Sequence, residues 1–411
     1  MDNFPQSNSI LNRLKSRAIT TLLILLTLSL FTTSCEKDQV PAPLAPSITK
    51  IEAPENLSTI AIGSALTLTV KTNAQEETTN IEKTQYQWIV NGIYRANNMP
   101  TITIDITKGG EYNITLKVIN ISGSDSLNLK YFAIAGPGES SSKWISKIIE
   151  FRPAPGQYTN KAPGNLASAQ TIVGKKGMVS LGGYGGYITF KFDHTVMNGQ
   201  GDDFVIHGNA FKGNSEPGIV MVAYDTNGNG TPDPQEWFDL AGSAHSYPNT
   251  KLNYILTYYK HSQTEQSEDI KWTDNTGATG FLNANAFHKQ CYYPLFYPEG
   301  VPEKIEFAGT LLPPTAVQNS NTGYWSVGDL EWGYVDNYSA NYPSTVADDN
   351  DTKNSSKFDI SNAIDKTGKP VELKAIDFIK VYTGVNQQAG WLGETSTEVC
   401  GAISLRTNHS N

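Results

Sequence analysis

Apolar and polar residues alternate with a period of two along most of this chain. Ala65-Leu-Thr-Leu-Thr-Val70, Thr101-Ile-Thr-Ile-Asp-Ile106 and Tyr112-Asn-Ile-Thr-Leu-Lys-Val118 each place apolar side chains on one face and hydroxyl or charged ones on the other. That is the pattern of half-buried strands. Further strand candidates follow at Tyr187–Phe192, Asp203–His207, Gly218–Tyr224, Asn253–Tyr259, Lys304–Ala308 and Ile376–Thr383, separated by turns rich in Gly, Pro and Asn. No segment carries a helical period of useful length, and no internal repeat is present. The pattern predicts an all-β protein.

One apolar run departs from alternation. Arg13, Lys15 and Arg17 precede Ala18–Phe31, and Thr32-Thr33-Ser34-Cys35 follows. The run is too short to span a bilayer core of ~30 Å at ~1.5 Å per residue, so it predicts a secretory leader over residues 1–34. Phe31-Thr-Thr-Ser-Cys35 resembles a bacterial lipobox, with Thr32 where Leu is usual. The resemblance implies that Cys35 is acylated and becomes the mature first residue. Residues 35–46 then read as a Pro-rich tether. The acidic Glu36 and Asp38 beside Cys35 resemble the start of Bacteroidota lipoproteins, which implies an outer-membrane anchor and display at the cell surface.

Composition narrows the classes. Asp and Glu outnumber Lys and Arg 40 to 31, a net charge of −9, so the basic footprint of a nucleic-acid binder is missing. Charged residues make up only 17% of the chain, against ~25% in average domains. Ser, Thr, Asn, Gly and Tyr fill the difference, as suits a turn-rich exported protein.

The strands divide into a domain at 47–136, a Gly/Ser/Pro-containing linker at 137–144, a large domain at 145–405 and a tail at 406–411. Tyr86-Gln-Trp88-Ile-Val-Asn91-Gly92 and Gly110-Glu-Tyr112 resemble a PKD-like immunoglobulin-fold module. That implies Trp88 in the core and Tyr112 in a tyrosine corner. In the larger domain five motifs occur in series. They are Leu181-Gly-Gly-Tyr-Gly-Gly-Tyr187, Asp202-Asp-Phe-Val-Ile-His-Gly-Asn209, Glu216-Pro-Gly-Ile-Val-Met-Val222, Asp377-Phe-Ile-Lys-Val-Tyr-Thr383 and Gly390-Trp-Leu-Gly-Glu-Thr-Ser-Thr-Glu398. The series resembles the C-terminal domain of a family of Bacteroidota cell-surface lipoproteins. The resemblance implies a jelly-roll-type β-sandwich and association with outer-membrane import. It makes capture of a cobalamin-type corrinoid for a TonB-dependent transporter the leading expectation. A carbohydrate-binding or adhesion protein is the alternative, and a glycoside hydrolase a third.

The sharpest chemical motif is Asp225-Thr-Asn227-Gly-Asn229-Gly230-Thr231-Pro-Asp233-Pro-Gln-Glu236, which matches the calcium-loop pattern D-x-[DN]-x-[DN]-G-x5-E. Oxygens of Asp225, Asn227, Asn229, Asp233 and Glu236, with the Thr231 carbonyl, would make a hard-cation shell for a structural calcium ion. Asn-Gly-Asn-Gly between apolar strands is equally a hairpin turn. Cys291 and Cys400 are a candidate disulfide pair in an exported protein, or two separate buried thiols. The six histidines lack metal spacing, and no G-x-S-x-G, H-E-x-x-H or P-loop occurs. Asp202/Asp203, Asp329/Glu331, Asp348/Asp349 and Glu394/Glu398 are acid pairs whose spacing the sequence does not fix. The glycine run at 182–186 predicts a bend or a close backbone approach. Aromatics crowd between Phe287 and Tyr338, and Tyr292, Tyr293, Trp325 and Trp332 are the expected ligand-side residues. No catalytic residue is expected.

Overall fold

The computed structural model describes residues 44–56, 58–73, 84–135, 140–262, 265–338 and 355–406. The leader, Cys35, Asp348, Asp349 and His409 lie outside them, as do most of the tether and residues 137–139 of the linker. From Leu44 onward the chain forms one compact unit. The chain is all-β, as its alternation predicts. The α-helix among the described residues is the five-residue Leu166–Gln170, capped by the Asn165 side chain on Ser168 N. No described helix is long and apolar enough to cross a membrane.

Residues 48–134 build an immunoglobulin-like sandwich. Ile48–Glu52, Ala65–Thr72 and Thr101–Asp105 form one sheet, and a five-stranded sheet centred on Gly110–Asn120 faces it. Burial along Ala65–Thr72 alternates residue by residue. Leu66, Leu68 and Val70 therefore meet Trp88, Ile114, Leu116 and Tyr131 in one apolar core. Trp88 is fully buried, and its Nε1 donates to the Met99 carbonyl at 3.0 Å. The Tyr112 hydroxyl donates to the Lys108 carbonyl four residues upstream at 3.3 Å.

The larger sandwich rests on a six-stranded antiparallel sheet. Its strand order is Ala363–Ile364, Trp237–Leu240, Gly218–Ala223, Phe378–Thr383, Tyr187–Lys191 and Lys147–Arg152. Alternate residues Ile188, Phe190, Val220, Val222, Ile379 and Val381 point inward. They pack on Phe204, Ile206, Phe358 and Ala402 of a three-stranded layer. The other face of the six-stranded sheet meets a four-stranded sheet in which Lys251–Tyr259 lies between Ile270–Asp274 and Lys304–Leu311. A tyrosine-rich core fills the space beneath that second sheet.

Tyr224 ties the two sandwiches together. Its hydroxyl accepts from Gly110 N at 3.0 Å and donates to the Ala133 carbonyl at 2.8 Å. Thr195 N adds a bond to the Ala135 carbonyl.

Candidate functional site

The outward residues of the six-stranded sheet form a row across the strands. Antiparallel register places Glu150 beside Thr189, Thr189 beside Lys380, Lys380 beside Met221, Met221 beside Asp239, and Asp239 beside Ile364. All six line a groove of about 560 Å³, roofed by Asn253 and Ile255 on one strand of the four-stranded sheet and by Gly309 and Thr310 on the next. Gly309 allows this closeness, since a Cβ there would sit 2.9 Å from the Tyr382 ring. Pro232 and Pro234 form part of the rim.

The groove is polar along its floor. The Lys380 ammonium lies 4.4 Å from the Trp237 ring centroid and 4.8 Å from that of Tyr187. Burial lowers its pKa, while Glu150 and Asp239 act to raise it. The Tyr187 hydroxyl donates to Glu150 at 2.8 Å. Asp239 Oδ2 accepts from the Thr310 hydroxyl at 2.7 Å, and the His245 ring lies 4.0 Å away. Asp239 Oδ1, Thr189 Oγ1 and His245 Nε2 are shut off from solvent, with no hydrogen-bond partner among the described residues. Orphaned polar atoms of this kind cost about 1–3 kcal/mol each.

Burial pushes the Asp239 carboxyl up to about 6, with the Thr310 hydroxyl and Lys380 pulling the other way. Burial also pushes His245 down to about 4, leaving it a neutral imidazole at neutral pH. A raised carboxyl is held protonated in the folded chain where the unfolded chain has already lost the proton. Relative to Asp239→Asn, the wild type should lose stability as pH rises from about 4 to about 6, then level off. The shift of about two units corresponds to roughly 3 kcal/mol. Urea melts of both proteins across that range measure it, and parallel curves would show that Asp239 is not desolvated.

The loop Asp225–Glu236 joins two strands of this sheet and is closed by its own hydrogen bonds. Asp225 accepts from Asn229 N and Gly230 N at 3.0 and 2.7 Å, Asn227 accepts from Asn229 N, and Asn229 accepts from Thr231 N. Glu236 is buried, with its two oxygens on Thr226 N at 2.8 Å and Asp233 N at 2.9 Å. Glu236 thus serves as the clasp of the turn. Asp225, Asp233 and Glu236 do not form a group with ligand atoms within 4.8 Å of one another among the described residues.

The residues expected to meet a ligand do not converge, and none of the four lines the groove. Tyr292 and Tyr293 are core residues, a correction to their assignment as ligand contacts, and both are 0% exposed. Consecutive residues are buried together because their irregular segment is covered on both sides. Asn160 supplies the bonds that a strand partner would have made, donating to the Cys291 and Tyr293 carbonyls and accepting from Leu295 N. Tyr293 donates to the Pro302 carbonyl at 2.8 Å. Trp325 is half-buried against Gly390, where a Cβ would meet its indole. Trp332 is half-buried and bonded through its backbone to Ser243.

Of the two readings left open for the cysteines, the disulfide is not formed: Cys291 and Cys400 are two separate buried thiols. Cys291 belongs to the tyrosine core, near His261, whereas Cys400 lies at the junction of Glu398–Val399 and Gly401–Ser404 and bonds to the His207 carbonyl. Sequence reasoning missed Lys380, Asp239 and Glu150. The signal that could have found them is charge at alternate positions within otherwise apolar strands. Trp391, 55% exposed, was likewise overlooked.

No protein-family model matches this chain, and no curated protein is significantly similar to it. Solved structures align loosely. A quinoprotein alcohol dehydrogenase-like protein of Bacteroides thetaiotaomicron matches at 11% identity and TM-score 0.22, over 59% of this chain and 62% of its own. The chain therefore spans less than two thirds of that structure. A carbohydrate-binding module of the β-sandwich superfamily matches at 12% identity and TM-score 0.20, over 89% of this chain and 100% of its own. A surface glycan-binding protein of the Bacteroides ovatus mixed-linkage glucan locus, solved with a heptasaccharide, matches at 11% identity and TM-score 0.18, over 81% and 69%. At these identities and TM-scores none of them bears on what this chain binds.

Proposed function

We propose that this chain is an exported, surface-held β-protein that captures a hydroxyl-rich glycan, without altering it, in the groove over the six-stranded sheet. The observation that carries this reading is the row Glu150–Thr189–Lys380–Met221–Asp239, whose members line one groove. Carboxylates toward both ends and an ammonium between them offer acceptors and donors at the spacing of strands, ~4.8 Å apart. A sugar chain lying across the strands presents hydroxyls at comparable intervals. A volume of about 560 Å³ falls in the usual range for small-ligand sites.

The corrinoid reading receives less support from this site. A planar macrocycle is best held by broad apolar faces. Here Trp237 is 9% exposed and its ring is covered by Lys380. Hydrolysis is not supported either. Glu150 and Asp239 are four strand spacings apart, ~19 Å at ~4.8 Å each, against ~5–9.5 Å for paired glycosidase acids. Anchoring through Cys35 and hand-over to a TonB-dependent transporter belong to the same proposal, and rest on the leader and on the lipoprotein resemblance.

Calorimetric titration with glucose-, xylose-, mannose- and galactose-based oligosaccharides, and with cyanocobalamin, tests the reading. At least one glycan should bind, and Lys380→Met should weaken it about tenfold or more, the loss of a hydrogen bond from a charged group. Glycan binding unchanged in Lys380→Met and in Asp239→Asn, or binding of cyanocobalamin alone, would overturn it.

A further inference from the structure

His245 stands behind the Asp239 end of the groove and is not part of its lining. It lies in the short 3-10 turn Ser243–Ser246, which follows strand Trp237–Leu240. Its side chain is 6% exposed, so it meets no ligand itself. The imidazole stacks on Tyr334, with ring centroids 5.8 Å apart and planes 3° from parallel. Gly242 permits this packing, because a Cβ there would lie 2.5 Å from the Tyr334 ring.

Hydrogen bonds on one edge of the imidazole fix its tautomer. The Gly242 backbone N–H donates to His245 Nδ1 at 2.9 Å. An amide N–H can only donate, so Nδ1 presents its lone pair. The Tyr334 hydroxyl accepts from Ala244 N and, 3.0 Å from Nδ1, has its own proton to give to that nitrogen. Burial keeps the ring neutral at neutral pH. A neutral imidazole with a bare Nδ1 carries its proton on Nε2. Nε2 is the nitrogen on the Asp239 side, 4.0 Å from Oδ2.

Three groups then favour Asp239 as an acceptor. The Thr310 hydroxyl, from strand Lys304–Leu311, donates to Oδ2 at 2.7 Å. Lys380, from strand Phe378–Thr383, supplies a positive charge that favours the ionised carboxyl. His245 adds an N–H dipole. The other groups facing Asp239 are the hydroxyls of Tyr184, Tyr334 and Tyr382, whose ionisation it opposes. A separation of 4.0 Å is too long for a hydrogen bond, yet an ion and a dipole still attract over it where the local dielectric is low. The opposite tautomer would set a lone pair against the carboxylate. The Nε2–H thus works against the burial that raises the Asp239 carboxyl.

We propose that His245 is a positioning residue of the groove: held as the Nε2–H tautomer by Gly242 and Tyr334, it keeps Asp239 an acceptor for hydroxyls of the bound glycan. This role rests on the glycan reading of the groove. It makes capture depend on pH, with affinity falling as pH drops through about 6, where Asp239 takes up a proton.

Two NMR readouts on ligand-free, detergent-solubilised full-length protein test the pair. Long-range 1H–15N spectra of the histidine rings should show a proton on His245 Nε2 and none on Nδ1 at neutral pH. A proton on Nδ1, whether in the other tautomer or in an imidazolium, would overturn the proposal. Carboxyl 13C titration of labelled aspartate should place the Asp239 midpoint about one unit higher in His245→Phe than in the wild type. His245→Gln keeps an N–H donor near the Nε2 position and should return the midpoint most of the way, a rescue that ring packing alone does not give. An unmoved midpoint in His245→Phe, or no rescue by His245→Gln, would overturn the proposal as well. Should His245→Phe fail to fold, the wild-type tautomer decides alone. For the tightest-binding glycan of the panel, the pH midpoint of affinity should follow the carboxyl's in each variant, and affinity indifferent to pH would remove the positioning role. A panel with no binder would instead remove the glycan reading while the spectra still report on the pair, so the two failures are told apart.

Discussion

Gly186→Ala should fail to yield folded protein. A Cβ at Gly186 would lie 1.9 Å from the Leu181 carbonyl oxygen and 2.3 Å from Ala154 N. Those two atoms are the acceptor and donor of one hydrogen bond, 2.9 Å long, that pins the strand entry to the segment before it. The methyl would be driven into backbone on both sides, with no flexible side chain to give way. Neighbouring Gly182 is at φ +75° with its own Cβ position 2.2 Å from the Ala154 carbonyl, so the bend leaves no room to shift. Gly174→Ala is the matched control. It has φ +72° with open space around it, and should cost only the ~1–2 kcal/mol of a left-handed alanine. Soluble yield and a cooperative melt for the control, with neither for Gly186→Ala, is the expected result. A folded Gly186→Ala protein would show that the glycine run is a flexible hinge.

Tyr293→Ala should destabilise the large sandwich by about 3–5 kcal/mol, the cost of emptying a fully buried aromatic site. The ring packs in the core of Tyr184, Tyr254, Tyr258 and Tyr292. Truncation also leaves the Pro302 carbonyl without its donor. Tyr292→Ala should behave alike, since its hydroxyl accepts from Asn285 N at 3.2 Å in the same core. Denaturant melts measure both. A melt close to wild type, with ligand binding lost, would return these rings to a binding surface.

The two tyrosines show where sequence pattern stops being informative. Alternation reports burial only when a strand has one wet face, so Ala65–Thr72 was readable residue by residue. Tyr292-Tyr293-Pro-Leu-Phe296-Tyr297 does not alternate, which resembles an exposed aromatic loop. Burial there depends on Asn160, 131 residues away from Cys291, and no local rule anticipates that bond.

The groove was hidden for a different reason. Lys380 and Asp239 look like ordinary solvent-facing positions of strands. Only the sheet order, with strands from 147, 187, 218, 237 and 378 side by side, gathers them into one row. The 225–236 loop was legible as a motif, and its hydrogen bonds are those of a self-closed turn.

Fluorine NMR of protein labelled with 5-fluorotryptophan tests the central claim, that the groove over the six-stranded sheet is where a glycan is held. The chain has seven tryptophans, and the Trp237, Trp325, Trp332 and Trp391 resonances are assigned by single Phe substitutions. Titration with the tightest-binding oligosaccharide of the panel should shift the Trp237 resonance, because Lys380 on its ring changes partners, and leave the other three in place. A shift at Trp325, Trp332 or Trp391 with Trp237 unmoved would contradict the account and place the ligand on the surface loops.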